Sequence, residues 1–137
     1  MQANSVEELQ VWQSSARFVA ALSAIVRRGG CASDSGLREQ LDTCADSILS
    51  NIAEGFEQGT DRGFARYLCI ARGSCAEARA HVLVAKLRGY LTPEAADELL
   101  QDGAEILRML TGFIIYLRRS DRKARGQAPW PTPRQPD

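Results

Sequence analysis

Between residues 61 and 91, apolar and small side chains recur at alternating steps of four and three, at Phe64, Leu68, Ala71, Cys75, Ala78 and Val82. That repeat belongs to a long α-helix laying one seam against other helices. A strand, whose side chains alternate every second residue, cannot use it. Three further segments share the helical period. The first is expected over Ser5–Arg28, with Ser5 and Glu8 spaced as a capping box and Gly29-Gly30 as its stop. The second is expected over Ser35–Gln58, with Leu37, Leu41, Cys44, Ile48 and Ile52 on one face and Gly59 at its end. The heptad segment itself is expected over Asp61–Leu91. The fourth opens at Thr92-Pro93-Glu94, which supplies an N-cap, a first-turn proline and an acid that suits the helix dipole. It carries Leu100, Leu107, Leu110, Ile114 and Leu117 to about Lys123.

Helices of about 24 residues, roughly 36 Å long, joined by short loops pack as antiparallel neighbours. The expected fold is therefore all-α: an antiparallel, up-down-up-down four-helix bundle over residues 1–124. A Pro-rich tail at 125–137 cannot build a core and is expected to be disordered. At 137 residues the chain has room for one core.

Hydrophobic residues at 45% and charged residues at 25% exclude collagen-like, mucin-like and fully disordered classes. Lys plus Arg equals Asp plus Glu at 17 each, which gives no net charge. The charge is unevenly spread. Residues 118–137 hold six basic groups against Asp121 and Asp137, a net of +4, and residues 1–117 are correspondingly acidic. No apolar run reaches the ~20 residues needed to cross a bilayer, and the first residues lack the basic flank and apolar stretch of a signal peptide. A cytoplasmic location without a membrane partner is expected. The four cysteines, Cys31, Cys44, Cys69 and Cys75, are then reduced, and their spacing shows no paired metal-ligand signature.

The third helix carries a second stripe, Ala65, Cys69, Ala76, Ala80, Leu83 and Leu87, about 120° around from the first seam. The second helix does the same with Leu49, Ala53 and Phe56. A bundle helix needs a single stripe slightly wider than ~100°. Either neighbouring helices cover a generous stripe, or small residues admit a second subunit, with Arg72 and Arg79 at the interface rim. The latter reading makes the chain a homo-oligomer of unspecified order.

Polar residues also line up on facing helices: Gln40, Ser47, Asn51, Glu54 and Gln58 on one, Ser74, Glu77 and His81 on the next. We read Ser47, Asn51, Glu54, Ser74 and Glu77 as a structural hydrogen-bond network that sets register, in preference to a ligand cluster or solvated faces. Catalytic options are poor. His81 is the one histidine, and Glu77-x-x-x-His81 has the wrong spacing for a di-iron bundle. The sequence has no phosphate-cradling loop, nucleophile elbow or His-Glu-x-x-His motif. Ser74 and His81 stand two turns apart with no third group to orient the imidazole. No enzyme activity, cofactor or metal is expected.

Residues 47–55 (Ser-Ile-Leu-Ser-Asn-Ile-Ala-Glu-Gly), the Gly-Ser-x-x-Glu of 73–77 and Gly89-Tyr90-Leu91 resemble the bacterial four-helix-bundle family encoded in 23S ribosomal RNA intervening sequences. Glu8-Leu9-Gln10-Val11-Trp12 resembles its start, so the likeness covers roughly residues 8–120. The resemblance implies a cytosolic, non-enzymatic bundle that assembles into homo-oligomers, with pentameric rings among them. Some relatives are accessory proteins of diversity-generating retroelements, where a basic surface engages a reverse transcriptase and nucleic acid. Relatives often carry a basic pair before the Ser-Ile segment, whereas this chain reads Leu41-Asp42-Thr43-Cys44. Its positive charge concentrates instead at Arg118, Arg119, Arg122, Lys123 and Arg125, candidate contacts for RNA or DNA. They serve equally as cations complementing a helix C-terminus. The expected function is a non-catalytic oligomeric scaffold. The alternative is a nucleic-acid or ribonucleoprotein accessory, such as a reverse-transcriptase subunit, and a hydrolase or metal enzyme comes third.

Overall fold

The structure, a computed structural model, describes residues 3–126. The proposed tail therefore lies outside the described residues from 127 onward. Among the described residues the chain is all-helical, with no strand. A 3-10 turn at Val6–Glu8 precedes α1 (Gln10–Ile25), α2 (Gly29–Ser33), α3 (Ser35–Phe56), α4 (Asp61–Leu87) and α5 (Pro93–Ala124).

Helix α3 packs on α4, α4 on α5, and α1 rests against both α3 and α5. Pairwise contacts give the directions. Gly55 abuts Phe64 and Tyr67 near the α3–α4 turn, while Ser47 Oγ, two turns earlier in α3, meets Ser74 Oγ at 2.6 Å. These helices run antiparallel. So do α4 and α5, where Lys86 Nζ reaches Asp97 at 3.4 Å and Arg72 reaches Thr111 at 3.4 Å.

The core is uneven in residue size. Large side chains come from α1 (Phe18, Leu22), α3 (Leu41, Ile48, Ile52) and α5 (Ile106, Leu110, Ile114, Leu117). Helix α4 adds Phe64, Leu68 and Val82 but otherwise buries small groups, Ala65, Ala71, Cys75, Ala78 and Ala85. Small residues on α4 let two neighbours with bulky side chains close on it, because the separation of packed helices follows the side chains between them. Ala65, expected on the second stripe, is 1% exposed within its own chain. It lies one residue from the seam residue Phe64, near the α3–α4 turn.

Helix ends depart from the sequence expectation for local reasons. Ser5 makes no side-chain cap. Glu8 reaches back to the Asn4 amide at 2.8 Å instead, and extended Leu9 separates the 3-10 turn from α1. Gly29, with φ +51°, does not merely stop a helix but lies at the start of α2. Helix α4 ends at Leu87, not Leu91. Gly89 adopts φ +76°, the Tyr90 amide donates to the Ala85 carbonyl at 2.9 Å and the Gly89 amide to Lys86 at 3.0 Å. This is a Schellman closure, which satisfies the last carbonyls and turns the chain away. Thr92 caps α5 through the Ala95 amide at 3.2 Å, as the sequence indicates.

The turn after α4 is tied to the start of α3. Asp34 Oδ1 caps α3 through the Leu37 amide at 3.2 Å. Its Oδ2 accepts from Tyr90 Oη at 2.9 Å and from Arg88 Nη1 at 2.7 Å. The Tyr90 ring lies over Gly30, where an added Cβ would stand 2.1 Å from a ring carbon. The Leu37 amide first, then the Tyr90 hydroxyl and Arg88, hold the Asp34 carboxyl below its usual 3.8. A folded-state pKa below the unfolded one gives stability that is complete above the unfolded value and fades as pH falls through the folded one. Asp34→Ala is therefore expected to melt at a lower temperature than the parent at neutral pH, and the gap is expected to narrow below about pH 4. Thermal denaturation followed by circular dichroism across that range checks it; a gap that is constant with pH contradicts the anchor.

Candidate functional site

Three groups of side chains stand out against this frame: polar groups between α3 and α4, apolar ones exposed along α4 and α5, and a basic end. Between α3 and α4, the 2.6 Å Ser47–Ser74 contact is joined by Asn51 Nδ2, which donates to the Ser47 carbonyl at 2.8 Å and to its Oγ at 3.0 Å. Of the five residues expected to form one network, three do. Glu54 is exposed and stands apart. Glu77 turns instead toward Cys44 and His81.

Those three residues form a cluster that sequence reasoning missed. One ligand-capable atom from each of Cys44, Glu77 and His81 lies within 4.8 Å of the others. Glu77 and His81 are four apart and share a face of α4, and antiparallel α3 brings Cys44 across from them. Burial, then the Glu77 carboxylate, pushes the Cys44 thiol up to about 12, so it stays protonated at neutral pH. Cys75, whose thiol points at the Gly103 carbonyl at 3.5 Å, is pushed up to about 11 by burial. Neither has the thiolate character of a reactive cysteine.

Along the outer side of α4, Ala76 and Ala80 are exposed, Leu83 is 45% and Leu87 85% exposed. Ile70 on α4 and Ile115 and Tyr116 on α5 are exposed as well. Gly73 and Gly112 sit mid-helix with nothing within 4 Å of an added Cβ. Cys69 is half-buried and accepts from Arg118 Nη2 at 3.5 Å. Arg72 and Arg79, expected at an interface rim, brace α4 to α5 through Thr111 Oγ1 (3.4 Å) and the Leu100 carbonyl (3.1 Å). The second-helix stripe of Leu49, Ala53 and Phe56 is half-buried, and Phe56 meets Phe64 edge to face, centroids 6.2 Å apart.

At the end of α5, Arg119, Lys123 and Arg125 are exposed and Arg122 is half-buried, while Arg118 turns inward to Cys69. Arg125 pairs with Asp121 at 3.4 Å. Antiparallel packing puts the start of α4 beside them. A cleft of about 350 Å³ is lined by Arg62, Arg66 and Arg125 with Thr60, Gly63 and Asp121. Arg62 and Arg66 were not legible as partners of the C-terminal run, because some sixty residues separate them.

A match to the 23S rRNA-intervening sequence protein family spans residues 7–112. The chain belongs to that family. No curated protein matches it. Among solved structures it is similar to a protein of unknown function from the S23 ribosomal protein family of Bacteroides thetaiotaomicron, at 20% identity. The likeness has a TM-score of 0.66 and covers 76% of this chain and 97% of the other. At that identity it speaks to the fold. No helix among the described residues is long and apolar enough to cross a membrane.

The motif residues of this 23S rRNA-intervening sequence protein have physical roles here. Asn51 and Ser74 meet at Ser47 between α3 and α4, and Tyr90 anchors Asp34. Gly55 lets the two helices touch: an added Cβ would lie 2.9 Å from Phe64 Cδ1 and Tyr67 Cβ. Overpacking costs about 1–3 kcal/mol, more than the up to ~1 kcal/mol an alanine returns in helix propensity. Gly55→Ala is thus expected to destabilise the protomer by about 1–2 kcal/mol in urea titration. Gly73→Ala, with open space around it within the chain, is expected to leave the dissociated protomer unchanged or stabilised by up to ~1 kcal/mol in the same titration.

Proposed function

We propose that this chain is a non-catalytic scaffold, an up-down-up-down four-helix bundle that assembles with copies of itself along the outer face of α4. The observation that carries this reading is Leu87, 85% exposed beside Leu83 at 45%, in line with exposed Ala80 and Ala76. Water gains nothing from such a row. Burying one leucine is worth about 1.5–3 kcal/mol. Gly73 supports the same reading, since a mid-helix glycine costs about 1 kcal/mol against alanine and no neighbour in the described residues requires it. The thiols of Cys44 and Cys75, pushed up by burial, support a non-catalytic role. A ring of five is the order that the family resemblance implies.

Size-exclusion chromatography with light scattering is expected to give a multiple of the 15.0 kDa chain mass. Leu87→Asp is expected to raise the dissociation constant on the order of 100-fold, the equivalent of about 2.7 kcal/mol. A single-chain mass for the parent across a roughly hundredfold dilution at micromolar concentration rejects assembly.

A second reading, contact with RNA or DNA in a ribonucleoprotein or reverse-transcriptase complex, is favoured by the juxtaposition of Arg62 and Arg66 with Arg125. Binding is then expected at ~50 mM salt, weakening as salt rises, and the joint Arg66→Ala, Arg125→Ala variant is expected to lower the log–log salt slope by about 1–2. No binding at low salt, or an unaltered slope, counts against it.

A further inference from the structure

The Cys44, Glu77 and His81 cluster serves neither reading above. Three features distinguish it from an ordinary helix–helix contact. Its donors are a sulfur, a carboxylate oxygen and an imidazole nitrogen, each a common ligand of divalent transition metals. They converge from two antiparallel helices, with Glu77 and His81 at the four-residue spacing that puts two ligands on one helical face. Finally, His81 Nε2 is shielded from solvent and makes no hydrogen bond among the described residues, although Glu77 Oε1 stands 3.5 Å away. A buried ring nitrogen beside a carboxylate normally finds a hydrogen bond.

We infer that Cys44 Sγ, a Glu77 carboxylate oxygen and a His81 ring nitrogen form a three-ligand site for a tetrahedral divalent transition metal, Zn²⁺ by donor type, with water in the fourth position. Ligands about 2.0–2.3 Å from a tetrahedral zinc are separated by roughly 3.3–3.8 Å. The observed limit of 4.8 Å is within about 1 Å of that spacing, and the 3.5 Å carboxylate–imidazole pair already meets it. Thiolate plus carboxylate neutralises the dication, so the occupied site carries no net charge into the helix interface. On coordination the Cys44 proton leaves to solvent. Buried Cys44 is the inner ligand, and exposed Glu77 opens the entry path from water. A sulfur donor disfavours Mg²⁺ and Ca²⁺, which take oxygen ligands. The site requires no second copy of the chain, so its fate and that of the assembly are independent.

The test uses the full chain, stripped with chelator and titrated with Co²⁺ as a spectroscopic stand-in for Zn²⁺. One cobalt per chain is expected, with a thiolate-to-cobalt charge-transfer band that Zn²⁺ abolishes by competition. Cys44→Ser and His81→Gln are expected to remove the band, and Cys69→Ser to leave it unchanged. Loss of an outer-sphere partner alone weakens metal sites about 10–100-fold, so losing a direct ligand is expected to exceed about 100-fold. Glu77→Gln, at an exposed position, keeps the fold intact should Cys44→Ser or His81→Gln fail to fold. Zn²⁺ is expected to raise the Tm of the parent and to leave that of Glu77→Gln unmoved. Absence of the band in the parent, its survival in Cys44→Ser, or an equal Zn²⁺ shift in Glu77→Gln overturns the site.

Discussion

Close approach of α4 to both of its sequence neighbours is the constraint on which the rest depends. Between Leu68 and Val82 the helix buries only Ala71, Cys75 and Ala78, and that stretch offers little apolar volume of its own. It creates room for Leu41, Ile48 and Ile52 on one side and Ile106, Leu110 and Ile114 on the other. Gly55 carries the same logic to the turn, where Phe64 and Tyr67 of α4 come too near for a methyl group. The polar contacts between these helices follow from that proximity. Ser47 and Ser74 are short side chains, and their hydroxyls meet at 2.6 Å because the helices leave no more space than that.

Economy on the inner face of α4 has a counterpart on its outer face, where Gly73, Ala76 and Ala80 leave the backbone accessible and Leu83 and Leu87 present apolar surface. Among the described residues all five are exposed. The arginines between the two faces turn to the neighbouring helix, where Arg72 and Arg79 hydrogen-bond to α5. At the Leu87 end of α4, Asp34 ties the start of α3 to the turn after α4 through one carboxylate, capping α3 and holding Tyr90 and Arg88. That contact sets where α4 must stop, since Tyr90 reaches Asp34 only after the chain has turned at Gly89.

Much of the fold was legible because helical period and capping are local. The heptad seam of α4, the Thr92-Pro93 start of α5 and the stop after α3 need only a few consecutive residues to specify them. The family, too, was readable from short motifs. Less was legible where local signals compete. Ser5 and Glu8 have capping-box spacing, yet the chain makes a 3-10 turn there so that Leu9 can be buried. Gly29-Gly30 reads as a stop, but Gly30 is a glycine because the Tyr90 ring occupies its Cβ position.

The amino-acid order by itself determined the all-helical class, the approximate lengths of the long helices and the presence of more apolar surface on α4 than one seam uses. Tertiary structure alone decided which polar residues meet. Glu54 and Glu77 occupy similar positions in the helical pattern, yet Glu54 faces water while Glu77 joins Cys44 and His81. It also decided that Ala65 is interior, that Arg118 is drawn to Cys69, and that Arg62 and Arg66 stand beside Arg125. The physical reason is the same in each case. A helical period gives the angle of a side chain around its own axis, whereas what it touches depends on the offset and separation of a second helix, which many distant contacts set together.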